Sequence, residues 1–473
     1  MVALGTINDW LPPHGLVTTW MASPAARAAA RSARRSQLAP SYQRARHLSS
    51  SYQSQVLNRE QPRLMVVAWD LPGVCDIPAM TAAINLHVRR HDAYHDWFEL
   101  DNEVFVRRTI DDPADIDLIP ASFGYMSAQQ LRAHALTTPA TLNWDCFTFG
   151  IIQHPSYFTC YASVDQLHVD DISASLIFLD ICGMYRGQPQ VAALSRTASY
   201  RDYAARQRDK VASLTLSSPE IKDWIEFARA TNGDWPGFPL PLGDTSASNR
   251  GDFLTVELLD AAETQAFDTA CRAAGARFSG GVLACAALVE RELTGTQTYH
   301  GFTPRDTRTP AIDTTTVGCF ANLVPITVPI GGGSFPETAR AAQHSYDTAK
   351  HLANVPFERV LELATPEQLG ITVRRPPAMR VSFLDLRKIP DAAGWDKTNF
   401  GVYSDNLSNG GINLWINRHA EKTTMTISFP NNPDARMSVC RYTVTLIETF
   451  ARVVKDTSAQ VTAQADSSEL SAS

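Results

Sequence analysis

Apolar positions recur along this chain in two rhythms. Short apolar or alternating runs bounded by turn residues read as strands. They fall at Arg63–Trp69, Val104–Arg108, Trp144–Ile152 and Tyr157–Val164 in the first half. In the second half they fall at Phe253–Leu258, Tyr299–Thr303, Leu323–Val328, Met379–Leu384, Ile412–Ile416 and Thr424–Phe429. Between them, apolar residues return every three or four positions. That spacing predicts helices over Ile77–Val88, capped by Asp76, and over Met126–Leu136, Ala261–Ala274, Gly280–Leu293 and Arg436–Val453.

Strands and helices alternate in both halves, so the expected class is α/β (α+β) with two similar-sized lobes. A polar connector opens at Arg186-Gly187-Gln188-Pro189. It divides an N-terminal lobe, 1–186, from a C-terminal lobe, 216–456, with 187–215 between them. Residues 1–60 carry the least regular pattern. There Arg27, Arg31, Arg34, Arg35, Arg44 and Arg46 punctuate an Ala/Ser/Gln-rich stretch, which reads as a solvated helix or lid, or as a basic arm on an anionic membrane surface. Residues 457–473 are Ser/Ala/Thr/Gln-rich and predict a disordered tail.

One corner concentrates polar chemistry. The strand Tyr157–Val164 leads through Asp165-Gln166-Leu167-His168-Val169-Asp170-Asp171 into a helical pattern from Ile172 to Tyr185, with Asp170 or Asp171 as N-cap. A turn between two buried elements fixes a reactive group while leaving it accessible. The plainer reading is a polar turn and nothing more.

Composition narrows the classes. The 473 residues are 44% hydrophobic and 19% charged, enough for two or three ordinary domains. A net charge of -7 offers no basic field to nucleic acid, and no nucleic-acid motif occurs. Met1–Trp20 lacks the layout of a secretory signal, and no apolar run reaches the ~18 residues of a membrane span. A cytoplasmic protein is expected. The eight cysteines are scattered without CxxC pairs and read as small core residues. His87, His91 and His95 fall on one helix face at spacing four. A metal site would also want a carboxylate with its own support, so the expected role is structural or at an interface, with no metal.

Taken together, these stretches resemble the condensation-domain superfamily of acyl-carrier and acyl-CoA transferases, with its chloramphenicol acetyltransferase-like fold. That family carries a His, three residues, then Asp, often followed by Gly, at a strand-to-helix turn. The slot here reads Gln166-Leu167-His168-Val169-Asp170-Asp171. Asp306-Thr307-Arg308 is similar to the later segment whose Arg pairs with the motif Asp. Ser199-Tyr200-Arg201-Asp202-Tyr203 is similar to the connector between lobes, and Asn399-Phe400-Gly401-Val402-Tyr403 matches in part an Asp-Phe-Gly-Trp-Gly stretch. The resemblance looks closest to the polyketide-associated (Pap-type) acyltransferases that acylate trehalose in mycobacterial-type envelope lipids. Their motif extends from the Asp to a Tyr, here Asp170 and Tyr185. A helical path sets these about 22 Å apart, so Tyr185 reads as a scaffold or tunnel residue.

The resemblance implies two lobes, each with a central mixed sheet, and a tunnel between them, lined in part by Asn399, Gly401 and Tyr403. It implies transfer of a long acyl chain from acyl-CoA, the co-substrate, to a hydroxyl of trehalose or a trehalose glycolipid, with no cofactor. It also implies a monomer, at the inner face of the membrane and partnered with a polyketide synthase. Asp170 would pair with Arg308 and lock the loop across the lobe interface. The catalytic His position holds Gln166, and none of the twelve histidines is followed by Asp at the fourth position. Gln takes no proton near neutrality. Either catalysis is lost and the chain is a non-catalytic acyl-CoA-binding relative, or another residue substitutes, or the chain carries a deliberate change. If 166–168 are extended, His168 points the same way as residue 166 and is the candidate base, polarised by Asp171.

Overall fold

The computed structural model describes residues 3–471 apart from 188–196, 232, 245–249, 310–312, 372–377, 389–396 and 409, and of 458–471 only the helical backbone. The connector residues 188–196 therefore lie outside the described residues. Two compact units interleave along the chain. The first holds Met1–Ser213, Asp306–Ala321 and Gly394–Leu407, and the second holds Leu214–Arg305, Asn322–Ala393 and Ser408–Ser473. A contiguous division, as chain order suggests, misses the two later segments that belong with the first unit.

The first unit is built on a seven-stranded sheet. Its order is Ala3–Thr6, Gly401–Ser404, Leu64–Pro72, Tyr157–Asp165, Phe147–Gln153, Gly15–Ala22 and Leu118–Met126. Only the first pair is parallel. Tyr157–Asp165 lies at the centre, buried beyond its first residue, as its nearly continuous apolar run requires. Gly150 is paired with Tyr161 on the neighbouring strand, and a Cβ at Gly150 would run into the Tyr161 ring. Glycine there lets the phenol cross the strand and reach Thr19, at 3.1 Å. A separate three-stranded sheet, Arg34–Ser36, Val104–Thr109 and Asp96–Asp101, completes the unit.

Residues 1–60 are thus far more regular than their pattern suggests. They supply two strands of the main sheet, one of the small sheet, and helices Pro24–Ser32 and Tyr42–Val56, capped by Ser23 and Ser41. The partners of these strands lie far away in sequence, which local periodicity does not register.

The second unit contains a six-stranded mixed sheet in the order Gly251–Leu259, Thr423–Pro430, Ile412–Arg418, Met379–Asp385, Thr298–Asp306 and Ala321–Pro329. Helices Ala261–Ala273 and Phe278–Thr294 contribute to its apolar core. The closing helix runs from Pro433 to Ser471, so the disordered tail expected from 457 is instead helical backbone. The Ala, Gln and Glu content of 457–471, free of Gly and Pro, permits the continuation. Six of the eight cysteines are buried; Cys319 is half-buried and Cys440 exposed. Among the described residues no single helix is long and apolar enough to cross a membrane.

Candidate active site

The corner after Tyr157–Asp165 is a tight turn, not an extended segment. Asp165 O accepts from His168 N at 2.9 Å, and Asp165 Oδ1 accepts from Leu167 N at 3.0 Å. A side chain that bonds its own backbone two residues on closes a turn of this kind. Reversal of the chain sends residues 166 and 168 to different surroundings. Gln166 is half-buried, and its side-chain amide makes no hydrogen bond among the described residues. His168 is fully buried.

This overturns His168 as the candidate base. Its Nδ1 lies 3.4 Å from Arg44 Nη2 and its Nε2 3.1 Å from Cys146 Sγ, between the rings of Tyr94 and Phe147. Both ring nitrogens are thus occupied, Nδ1 by the Arg44 guanidinium and Nε2 by the Cys146 thiol, with the Ala93 carbonyl also in reach of the ring. Burial, then the adjacent Arg44, push the imidazole down to about 3. Asp171 is exposed at the start of the following helix and does not share that enclosure.

Asp170 caps helix Asp171–Tyr185 and is the most heavily bonded group of the corner. Its Oδ1 accepts from Ser173 N (2.9 Å), Ser173 Oγ (2.7 Å) and Arg308 Nη2 (2.9 Å). Its Oδ2 accepts from Arg308 Nη1 and Phe320 N, both at 2.9 Å. Burial would raise this carboxyl, but Arg308, Ser173 and the Phe320 N–H outweigh it and hold it below the usual carboxylate range. With both oxygens spent on five donors, Asp170 has no lone pair left for substrate. Arg308 also stacks its guanidinium over Phe320, 4.2 Å from the ring centre. Because Asp306–Ala321 belongs to the first unit, this clasp lies inside one unit; the expected lock across two lobes is corrected accordingly.

Tyr185 ends the same helix. Its hydroxyl accepts from Asp76 N at 3.0 Å, tying the helix end to the cap of helix Ile77–Arg90. The segment named for the tunnel is different. Gly401 and Tyr403 lie in the strand Gly401–Ser404, and Tyr403 packs against Trp10 in the core. Asn399 is exposed, with φ 47°, and donates to Asp70 Oδ2 at 2.7 Å.

The histidine helix meets a carboxylate that the sequence did not reveal. Asp180, from helix Asp171–Tyr185, brings Oδ2 within 2.7 Å of His91 Nε2 and 3.2 Å of His87 Nδ1. The three groups have the spacing of a metal set. The protons argue otherwise. Val317 N donates to His91 Nδ1 at 3.3 Å, so the His91 proton sits on Nε2 and is spent on Asp180. Metal at Nε2 would move that proton to Nδ1, against a backbone N–H. Arg90 Nη1 adds a cation 3.2 Å from Asp180 Oδ1. The cluster is a buried clamp joining the two helices. His95 lies beyond the helix end and bonds Val88 O at 3.1 Å.

Sequence reasoning also missed Asp165 and its partners. The carboxylate is fully buried, with His47 Nε2 at 2.7 Å, Thr141 Oγ1 at 2.8 Å and Arg63 Nη1 at 3.2 Å. Burial would raise it, but His47, the Leu167 N–H and Arg63 bring it down to about 2. No spacing signal links residue 47 to 165; only the docking of helix Tyr42–Val56 onto the turn, through Arg44 Nε on Leu167 O at 2.9 Å, brings them together.

A two-unit α/β protein with a mixed sheet in each unit, and a strand–turn–helix corner pinned by a buried carboxylate–guanidinium pair, has the build of a condensation-domain acyltransferase. The family model "Condensation domain" matches residues 52–370, and the chain belongs to that family. Trehalose-2-sulfate acyltransferase PapA2 of Mycobacterium tuberculosis is 45% identical over 463 residues, covering 97% of this chain and 98% of that protein. Acyltransferase PapA3 of Mycobacterium tuberculosis is 42% identical over 462 residues, covering 96% and 97%. A solved structure described as PapA2 acyl transferase superposes with a TM-score of 0.91 at 45% identity, covering 96% of this chain and 99% of that one. The condensation domain of Monacolin K polyketide synthase MokA shares the fold, with a TM-score of 0.68 at 14% identity. The chain is an acyltransferase of the Pap type.

Proposed function

We propose that this acyltransferase moves a long fatty acyl chain from acyl-CoA to a hydroxyl of trehalose or a trehalose glycolipid, in the making of cell-envelope lipids. The observation that carries the reading is the intact Asp170–Arg308–Ser173 corner in a chain 45% identical to a trehalose-2-sulfate acyltransferase. The acceptor hydroxyl attacks the thioester carbonyl as a base takes its proton, and the thiolate leaves with that proton returned. No cofactor is required for this exchange. The enzyme acts as a cytoplasmic monomer at the inner face of the membrane, beside the polyketide synthase that builds related chains.

Gln166 favours a second reading: an acyl-CoA-binding relative, catalytically impaired, that serves a polyketide synthase. CoA release from palmitoyl-CoA, with trehalose or trehalose-2-sulfate present, separates the two. Sugar-dependent release supports transfer; saturable acyl-CoA binding without release, in wild type and Gln166→His alike, supports the second.

A further inference from the structure

One imidazole at the corner is neither sealed in nor fully occupied. His47, on helix Tyr42–Val56, keeps 14% of its side chain exposed, while the Asp165 carboxylate it touches has no exposure. Asp165 is the residue immediately before Gln166. Asp165 Oδ1 only accepts, so His47 Nε2 carries a proton toward it, and in the neutral ring Nδ1 presents the lone pair. Among the described residues Nδ1 has no hydrogen-bond partner. The carboxylate is itself anchored by Arg63, Thr141 and the Leu167 N–H, so ring orientation and tautomer are both fixed. Arg44, one turn earlier on the same helix, bonds Leu167 O and Ala93 O and seats the helix on the turn. A carboxylate orienting an imidazole whose far nitrogen is free is the working arrangement of a general base.

We propose that His47, oriented by Asp165, takes the proton of the acceptor hydroxyl in this chain, in place of the imidazole absent from position 166. The inference rests on the acyl-transfer reading above. As the acceptor oxygen bonds to the thioester carbonyl carbon, its proton passes to His47 Nδ1. The tetrahedral oxyanion then collapses, the C–S bond breaks, and the proton passes from Nδ1 to the departing sulfur.

The test uses the full chain, palmitoyl-CoA and trehalose-2-sulfate, with CoA release as readout. Four forms are compared: wild type, His47→Gln, Gln166→His and the double variant. Glutamine keeps a donor for Asp165, so folding is preserved, and melting temperature checks it. Wild type is expected to turn over, and His47→Gln to lose about 10²-fold or more in kcat with little change in KM. The double variant is expected to recover, because it carries an imidazole at 166. In a fifth form, His47→Gly, added imidazole is expected to restore part of the activity. Retention of wild-type kcat by His47→Gln overturns the proposal. So does an inactive wild type beside an active Gln166→His, or a double variant as impaired as His47→Gln. Silence of all four forms removes the acyl-transfer reading as well.

Discussion

Arg308 donates to both oxygens of Asp170, at 2.9 Å each, across 138 residues of sequence. Side-chain exposure of the pair is 3% and 6%. Breaking such a pair strands a charge away from water, whereas replacing both partners with apolar groups removes the problem with the bond. Asp170→Asn and Arg308→Gln are each expected to lower stability by about 3–5 kcal/mol. Asp170→Leu combined with Arg308→Met is expected to cost far less than the sum of the single changes. Urea titration followed by tryptophan fluorescence measures this; simple additivity would show that the two groups do not couple.

His168 is expected to matter for stability and not for turnover. His168→Asn leaves Arg44 Nη2 and Cys146 without their ring partner and costs about 1–3 kcal/mol. Its kcat per folded molecule stays within about twofold of wild type, since a general base would cost 10²–10⁴-fold. A hundredfold fall in kcat at unchanged melting temperature would return the base to His168.

Acid should weaken the protein in two stages. His91 and His168 are held neutral, at about 4 and about 3 against an ordinary 6.5, chiefly by burial. As pH falls below 6.5 the unfolded chain takes up protons that the folded chain refuses, so stability drops until the folded values are reached. Asp165 has the opposite chemistry, lowered from 3.8 to about 2. Its stabilisation is complete above about pH 4 and disappears as pH falls through 2. Denaturation midpoints measured across pH 7 to 3 read the first stage. His168→Asn is expected to reduce that slope by about 1.4 kcal/mol per pH unit.

Tyr185→Phe removes the hydrogen bond from Asp76 N to the phenol and the phenol's bond to the Cys75 thiol, with a stability cost of about 1–2 kcal/mol. Acyl transfer is expected to persist. A loss of kcat without a loss of stability would mean that the hydroxyl meets substrate.

The strands around the corner were legible because their burial is written locally. Tyr157–Asp165 and Phe147–Gln153 are apolar nearly throughout, and Asp170 stands where an N-cap belongs. The direction of His168 was not legible. It depends on Asp165 folding its carboxylate back onto Leu167 N, a contact no hydrophobic pattern encodes. Asp180 was hidden inside an apolar helix, and its role appears only when that helix crosses His87 and His91. His47 was hidden for a similar reason: it lies 118 residues from its carboxylate, in the stretch with the weakest periodicity.

The strand Gly401–Ser404 sits between Ala3–Thr6 and Leu64–Pro72. A ribosome must therefore deliver more than four-fifths of the polypeptide before the first sheet can close. Until then Leu64–Pro72 presents a naked, greasy edge, the kind of surface that recruits chaperones or clumps. Expressing residues 1–213 as a stand-alone fragment is thus a recipe for inclusion bodies, and the natural remedy is to co-express both missing segments, the strand and the stretch that carries Arg308.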